Sequence, residues 1–473
     1  MKTQKFIFMI FTCFGLLMGC SNEEALDIEQ GEINLKKATK SAVFMVEPNG
    51  FDDTENLKNA FADAIAAGQG AVVQLVEGIY YIDLIEVREF HGSLEGAGKG
   101  KTVISTIADL SVDKFIDQNL DVVLLNFVGG DICVRDLTIH TPQGPLSEGS
   151  IGYLYGQLGF CAVTAQYVAA NEYINGVVDN VEFITQGYVS VGLLVESGFW
   201  INIPGGVPLA DIDISVTNSS FSGPYWGYGA LLMEIREGNI VVGSKSKGNK
   251  FNNCDLGIWH NVNINATVHS NTFMRKNGWF PLQVINGPWR EDPSQFPQTF
   301  QSVCNIEKNT FNVSESAGAV IINDYRRFSP SYEIPMLVQV KNNKIHTEGN
   351  DMFTAMGCLN LSDMIIRNNK FTGEAMYGVR IFSQWPEGLF AENGLLLGNN
   401  FSNSKYSLTT VLLGNGTKDW TIVGGNLGEL VWDFGENNII TGFNNNTSEA
   451  PLGQTIVDNL EEMRNALKNL DDR

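Results

Sequence analysis

One phrase recurs along most of this chain and restricts its fold more than any other feature: a short apolar strand, an asparagine-rich turn, then Phe or Ile. It reads DNVEF ending at Phe183, TNSSF at Phe221, GNKF at Phe251, SNTF at Phe273, KNTF at Phe311, NNKI at Ile345, NNKF at Phe371 and GNNF at Phe401. Successive spacings are 38, 30, 22, 38, 34, 26 and 30 residues. A fixed phrase at an unequal period is what a solenoid gives when each coil keeps its core strands and varies its loops. Asn stands two residues before the apolar anchor at Asn249, Asn271, Asn309, Asn343, Asn369 and Asn399. Asn tolerates left-handed φ, and its amide can bond to the same amide one coil away, so the column has a structural cause and is given no catalytic part.

Helical repeats are the competing solenoid. Segments such as Val338-Gln339-Val340 and Leu395-Leu396-Leu397 run for three to five residues between Gly or Asn, whereas helices need ten or more residues of period 3.6. Parallel strands stacked at about 4.8 Å per coil fit, and roughly ten coils would give a rod on the order of 50 Å. At the entrance, Asp52, Asp53 and Thr54 precede Leu57, Phe61, Ala64 and Ile65 at helical spacing, with Gly68 as a stop. That pattern predicts one amphipathic helix with an N-cap and a C-cap glycine. Ala71 to Leu75 and Ile79 to Ile82 then read as strands around a Glu77-Gly78 turn. In the tail, Val457, Leu460, Met463, Leu467 and Leu470 suggest a second helix. The two helices would cover the open ends of the coil stack.

Before this body comes an export signal. Lys2 and Lys5 precede an apolar run from Phe6 to Leu17, too short for a membrane span and flanked as a signal peptide is. Leu17, Met18, Gly19 and Cys20 resemble a bacterial lipobox, with Met18 departing from the smaller residue usual there. Ser21, Asn22, Glu23 and Glu24 look like the acidic tag of surface-exported lipoproteins of the Bacteroidota. The expectation is a signal over 1–19, lipid on Cys20, a polar tether over 20–42 and a protein anchored at the outer membrane and exposed at the cell surface. Simple cleavage and release, with Cys20 a free thiol, is the alternative.

Composition narrows the partners. The 473 residues carry a formal charge of -22, and removal of Lys2 and Lys5 with the signal leaves 29 basic side chains against 53 acidic ones. No basic cluster is present to neutralise phosphates, so a nucleic acid partner is not expected. Gly100-Lys101-Thr102 imitates a phosphate loop, but Glu95 stands where its opening glycine should be, which argues against a nucleotide. Cys133, Cys161, Cys254, Cys304 and Cys358 are odd in number and widely spaced, so buried free thiols are expected. The five histidines form no metal motif, and no metal is assigned.

The stretch from Asp52 through Ile104, with DDTENLKNAFADAIAAGQGAVVQLVEGIYYI and later LEGAGKGKTVI, resembles the N-terminal entrance of pectin lyase-like proteins. The resemblance implies an all-β chain, a single-stranded right-handed parallel β-helix over about 43–450, closed by a helical cap or tail over 451–473. Members of that superfamily include polysaccharide lyases, glycoside hydrolases, esterases, phage tailspikes and adhesins, so function has to come from a site. Its polygalacturonate hydrolases use Asn-x-Asp, Asp-Asp, His-Gly and Arg-x-Lys elements, which this sequence lacks as a set. Its lyases use Arg or Lys as base, often with calcium-binding acids. Arg236, Arg326 and Arg380 are available here, though none stands in a recognisable family motif.

On a β-helix, outward side chains of neighbouring coils lie about 5 Å apart, so catalytic groups are column neighbours remote in sequence. Laying GLLVES (192–197), ALLMEIR (230–236), GIWHN (257–261), PLQVIN (281–286), AVIINDYRR (319–327) and GVRIFS (378–383) over one another puts Glu196, Glu234 and Asn261 in one column. Arg236 and His260 stand beside them, and Asn286, Asn323, Asp324, Arg326 and Arg380 follow on later coils. Two carboxylates on adjacent coils would give one proton donor and one ionised partner, as glycosidic cleavage requires. The expected catalytic set is Glu196, Glu234, Arg236, His260, Asp324 and Arg380. Trp226, Trp259, Asn261, Trp289, Asn323 and Arg326 are the expected sugar-binding set, since aromatic faces stack on sugars. Outward charges also merely solvate a strand face, and tryptophans also cover a core. The readings are a surface lipoprotein that binds and cleaves a polysaccharide by hydrolysis, a β-eliminating lyase of uronate glycans with calcium as a possible cofactor, and a non-catalytic glycan-binding or surface-interaction protein.

Overall fold

The computed structural model describes residues 41–107, 123–141, 156–164, 167–168, 173–185, 191–197, 210–223, 227–287, 302–324, 336–349, 352–383, 391–424, 430–441 and 444–447. Among them, 32 strands hydrogen-bond into one sheet whose pairings run parallel. A strand bonds not to its neighbour in sequence but to its equivalent one coil away: Tyr228–Met233 lies between Val191–Glu196 and Asp255–Asn261. Such a sheet is wound, and its winding is right-handed, as parallel crossovers are. The coil beginning at Tyr228 shows the three faces: Tyr228–Met233 on the first, Ile235–Val242 on the second and Lys250–Asn252 on the third.

The interior is built of columns. On the first face, Leu125, Leu158, Leu193, Ala230, Leu256, Leu282, Val320, Met356, Val379 and Val411 pair in turn along the coils, and all are fully buried. On the third face the anchors of the recurring phrase stack ring on ring. Phe183 and Phe221 are 4.7 Å apart, Phe251 and Phe273 4.8 Å, and Phe371 and Phe401 4.6 Å. That spacing matches the rise of about 4.8 Å per strand, so successive coils contribute one ring each from Phe183 to Phe311 and again from Phe371 to Phe401, with Ile345 between the two runs.

The asparagine column is the ladder its spacing predicts. Asn271 Oδ1 accepts from the backbone N–H of Asn249 at 2.9 Å and from its Nδ2 at 3.0 Å. Asn271 Nδ2 in turn donates to the carbonyl of Val242 at 2.7 Å and to Asn309 Oδ1 at 3.1 Å. The left-handed φ expected of these asparagines falls one residue earlier, on Ser270, Lys308, Asn342 and Asn368. The preceding residue makes the turn, and the ladder amide is then aimed along the stack.

The entrance helix spans Thr54–Ala67 and buries Leu57, Ala60, Phe61 and Ala64, whereas Ile65 is exposed. Asp53 does not cap it with its side chain: that carboxylate accepts from Asn49 and Tyr81, and Asp52 Oδ1 takes the N–H of Thr54 at 2.9 Å. The strands that follow are Ala71–Leu75 and Gly78–Ile82. Cys161, Cys254, Cys304 and Cys358 are buried free thiols, and Cys133 is half-buried. The expected signal, lipidated Cys20, tether and C-terminal helix lie outside the described residues.

Candidate functional site

The outer side of the first face carries two adjacent columns. One runs Leu194, Leu231, Gly257, Gln283, Ile321, Gly357, Arg380 and Leu412. The other, two residues along each strand, runs Glu196, Met233, Trp259, Ile285, Asn323, Leu359 and Phe382. Glu196 therefore faces Met233 and not Glu234, which corrects the expected column. The cause is local: Glu234 and His260 have left-handed φ of 51° and 53° and form the turn that leaves the strand, one residue beyond the rung. Glu196 and Glu234 are both buried, so neither lines an open cleft. Around them Val123, Val191, Leu194, Leu231 and Met233 form an apolar cluster outside the barrel of coils, with Tyr228 and Trp259 against it.

Beyond the turn a second polar ladder replaces part of the expected site. Asn261 is fully buried; its Oδ1 accepts from the backbone N–H of Ile235 at 2.9 Å and its Nδ2 donates to the carbonyl of Leu232 at 3.2 Å. Asn286 follows it in register and Asp324 follows Asn286. Asp324 Oδ2, also fully buried, accepts from the N–H of Met336 at 2.9 Å. Asn261 and Asp324 thus hydrogen-bond the backbone of the turn, where sugar binding and catalysis are the roles expected of them from the sequence. Asn323 stays on the outer column, where its Oδ1 accepts from Asn360 Nδ2 at 3.1 Å. Arg236 leaves the site altogether: on the second face its Nε and Nη2 grip Asp211 at 2.7 and 3.0 Å. His260 is buried with Nδ1 3.1 Å from the carbonyl of Gly287, and burial lowers its pKa and favours the neutral ring.

Arg380 has the most unusual surroundings. Its guanidinium carbon lies 4.1 Å from the centroid of the Phe382 ring, 4.5 Å from that of Phe353 and 5.8 Å from that of Tyr377. Phe353 and Tyr377 meet edge to face at 5.6 Å, so two rings of the clamp brace one another. Only 7% of Arg380 is exposed, and its buried Nε has no hydrogen-bond partner. Burial pulls its pKa down to about 10, and among the described residues no carboxylate opposes that. Each ring offers a desolvated guanidinium about 2 kcal/mol. The arrangement is that of a buried guanidinium enclosed by three aromatic rings.

A further cluster escaped the sequence reading. Asp255, on the first face, has Oδ1 3.2 Å from Arg275 Nε, and both side chains are almost wholly buried. Gln283 Nε2 donates to Asp255 Oδ2 at 3.3 Å and to the carbonyl of Phe280 at 3.1 Å, while Tyr228 donates to Gln283 Oε1 at 3.3 Å. Tyr228 also meets Trp259 edge to face at 5.1 Å. Desolvation outweighs the pull of Arg275 and pushes the Asp255 carboxyl up to about 7. A signal was present: Arg275 stands two residues after the inward Phe273, the parity of a core position. Trp226, Trp289 and Arg326 lie outside the described residues. Among those described, no group of three or more His, Cys, Asp or Glu side chains could hold a metal.

The fold defined by these registers is a right-handed parallel β-helix. No protein-family model matches the chain, and no curated protein matches it. Among solved structures it is similar to the A-module of the Azotobacter vinelandii mannuronan C-5 epimerase AlgE6, at 14% identity and a TM-score of 0.35, over 87% of this chain and 98% of that one. It is similar to the Streptococcus pneumoniae surface adhesin PfbA at 14% identity and a TM-score of 0.46, over 78% and 93%. A mannuronic acid-specific family 6 polysaccharide lyase from human gut microbiota is similar at 12% identity and a TM-score of 0.34, over 89% and 94%. These are likenesses of winding alone.

Proposed function

We propose that this protein binds an acidic polysaccharide on the outer side of its first face, with Arg380 as the residue that holds a sugar carboxylate. The observation that carries the reading is the buried guanidinium clamped by Phe353, Tyr377 and Phe382, with no anionic partner among the described residues. A carboxylate would satisfy the charge, and ring edges beside it would cover the apolar face of a sugar. Titration calorimetry with tetramers of galacturonate, mannuronate and guluronate, each beside its methyl ester, tests it. Binding of an acid form that is lost in its ester and in Arg380→Met supports the reading; equal binding by acid and ester contradicts it.

The hydrolytic reading through Glu196 and Glu234 loses its geometry, because the two are not rung partners and both are buried. Cleavage by β-elimination is a second reading, favoured by a guanidinium placed where it could hold the carboxylate next to the proton that is lost. In that chemistry a base, to which no described side chain is assigned, takes the proton α to the carboxylate, the C4–O bond breaks as the C4–C5 double bond forms, and the departing 4-linked sugar oxygen takes a proton from solvent. At neutral pH a group of pKa about 10 is overwhelmingly protonated, so Arg380 would neutralise the carboxylate and stabilise the enolate rather than take the proton. Calcium finds no ligand cluster among the described residues and is given no step. New ultraviolet absorbance on incubation with the tetramers separates elimination from binding alone. Lipid attachment at Cys20 and display on the outer membrane surface complete the proposal, supported by the signal and lipobox spacing. Mass spectrometry of the mature N-terminal peptide tests it: acylated Cys20 supports anchorage, and an unmodified thiol contradicts it.

A further inference from the structure

Winding assembles on one corner of the coils a basic cluster that the linear sequence does not show. At the turn from the second face to the third, Glu307, Lys341 and Arg367 are register partners on three successive coils, and across the turn so are Thr310, Lys344 and Lys370. Lys308 stands in the turn of the first of these coils, with a left-handed φ of 56°. Basic side chains thus dominate this corner in a chain of 31 basic and 53 acidic residues. The one acid, Glu307, is taken up by Lys308 and Lys341, each with Nζ at 3.2 Å. Lys344, Arg367 and Lys370 are exposed, and no carboxylate among the described residues pairs with them. Lys341 faces Arg367 and Lys344 faces Lys370 across adjoining strands. Like charges placed directly opposite one another destabilise a sheet, so the fold alone does not account for two such rungs side by side. Asn342 and Asn368, both exposed, lie between the two lines of cations and add amide donors.

We infer that this corner is a second glycan site, which takes a linear acidic polysaccharide lying along the coil axis. Cations on adjoining coils are about 4.8 Å apart, close to the advance of one sugar in an extended chain, so successive carboxylates meet successive rungs. The amides between the cations suit a polymer that carries hydroxyls as well as charge. A membrane surface would call for an apolar face beside the cations, and in these two columns Leu397 is the only large exposed apolar side chain among the described residues. The site is solvent-exposed and its ion pairs are individually weak. A tetramer, with few counterions to release, is therefore held loosely, and a polymer that releases many is held firmly at low salt. The inference rests on the acidic-glycan reading for the class of ligand alone, since Arg380 stands on the first face and takes no part in this corner.

The test is equilibrium binding of the full chain to immobilised polygalacturonate and polymannuronate at about 50 and 200 mM salt. Wild type is compared with the double variant Lys344→Gln, Lys370→Gln, with Lys344→Glu and with Arg380→Met, each with a thermal melt and with tetramer calorimetry. The double variant is expected to lose roughly tenfold in polymer affinity at the lower salt and part of the salt dependence, with tetramer affinity unchanged. Its melting temperature should equal or exceed that of wild type, because a like-charge rung is gone. Lys344→Glu sets an opposite charge across from Lys370 and serves as the folded control should the double variant melt early; it is expected to lose at least as much polymer affinity. Wild-type polymer affinity and salt dependence in both lysine variants, with tetramer binding lost in Arg380→Met, overturns the corner and leaves the Arg380 reading standing. Polymer binding lost in the lysine variants, with tetramer binding intact in Arg380→Met, supports the corner and overturns the Arg380 reading. Wild-type binding to phosphatidylglycerol vesicles or duplex DNA but to neither polymer overturns the corner as a glycan site.

Discussion

Arg275 reaches Asp255 through Nε at 3.2 Å although the two come from different faces of the coil, Arg275 from the third and Asp255 from the first. The pair ties the corner between those faces, and its desolvation sets a pH dependence. The Asp255 carboxyl rises from an ordinary 3.8 to about 7, so the folded state holds its proton more tightly than the unfolded state does. The stability contributed is fully present below the ordinary value and is lost as pH climbs toward the raised one. Asp255→Asn keeps the amide partner for Gln283 and cannot ionise. The melting temperature of wild type relative to Asp255→Asn should therefore fall as pH rises from 4 to about 7. Parallel pH profiles of the two proteins would contradict this.

The amide ladder predicts a graded series at Asn309. Asn309→Ala removes the acceptor of Asn271 N–H and the donor to the Val268 carbonyl. Buried groups left unpaired cost about 1–3 kcal/mol each, so a loss of about 3 kcal/mol is expected. Asn309→Asp should cost more, because its second oxygen would face the acceptors Val268 O and Asn343 Oδ1. Denaturant unfolding of the two variants checks the order, and an aspartate variant more stable than the alanine one would contradict the ladder.

Phe273 lies between Phe251 at 4.8 Å and Phe311 at 4.7 Å, so its removal opens a void between two rings that cannot close without shortening the stack. Phe273→Ala should destabilise by about 3–5 kcal/mol, and Phe273→Leu by less. Equal unfolding midpoints for wild type and the alanine variant would show that the rings do not carry the core.

How much of this was legible follows from where each signal lies in the chain. The third face announced itself because Phe and Asn sit at fixed positions in one short phrase, and the rungs from Phe183 to Phe401 are found stacked in that order. The first face did not, since Glu234 and His260 take left-handed φ. Neither residue type advertises that conformation as glycine does, and one residue at a turn moved Glu234 and Asn261 out of the column expected for them. Arg380 was a candidate from its strand alone. Its aromatic clamp was hidden because Phe353 arrives from the preceding coil, and only the winding brings it beside Tyr377 and Phe382.

Arg380 also predicts a separation of stability from function. A buried charge without an ionic partner is a burden on the unliganded fold, and a flexible apolar side chain of similar length relieves it. Arg380→Met should melt at or above the wild-type temperature while losing affinity for the acidic tetramers. A marked drop in melting temperature would mean that the guanidinium holds the first face together, and the anion-binding account would fail.

The most direct measurement is a crystal structure of the protein with a bound uronate tetramer. The account predicts one sugar carboxylate within hydrogen-bond distance of the Arg380 guanidinium, with the rings of Phe353 and Phe382 retained beside it. A tetramer bound elsewhere on the coils, with Arg380 still enclosed by its three rings and touching no sugar, would contradict it.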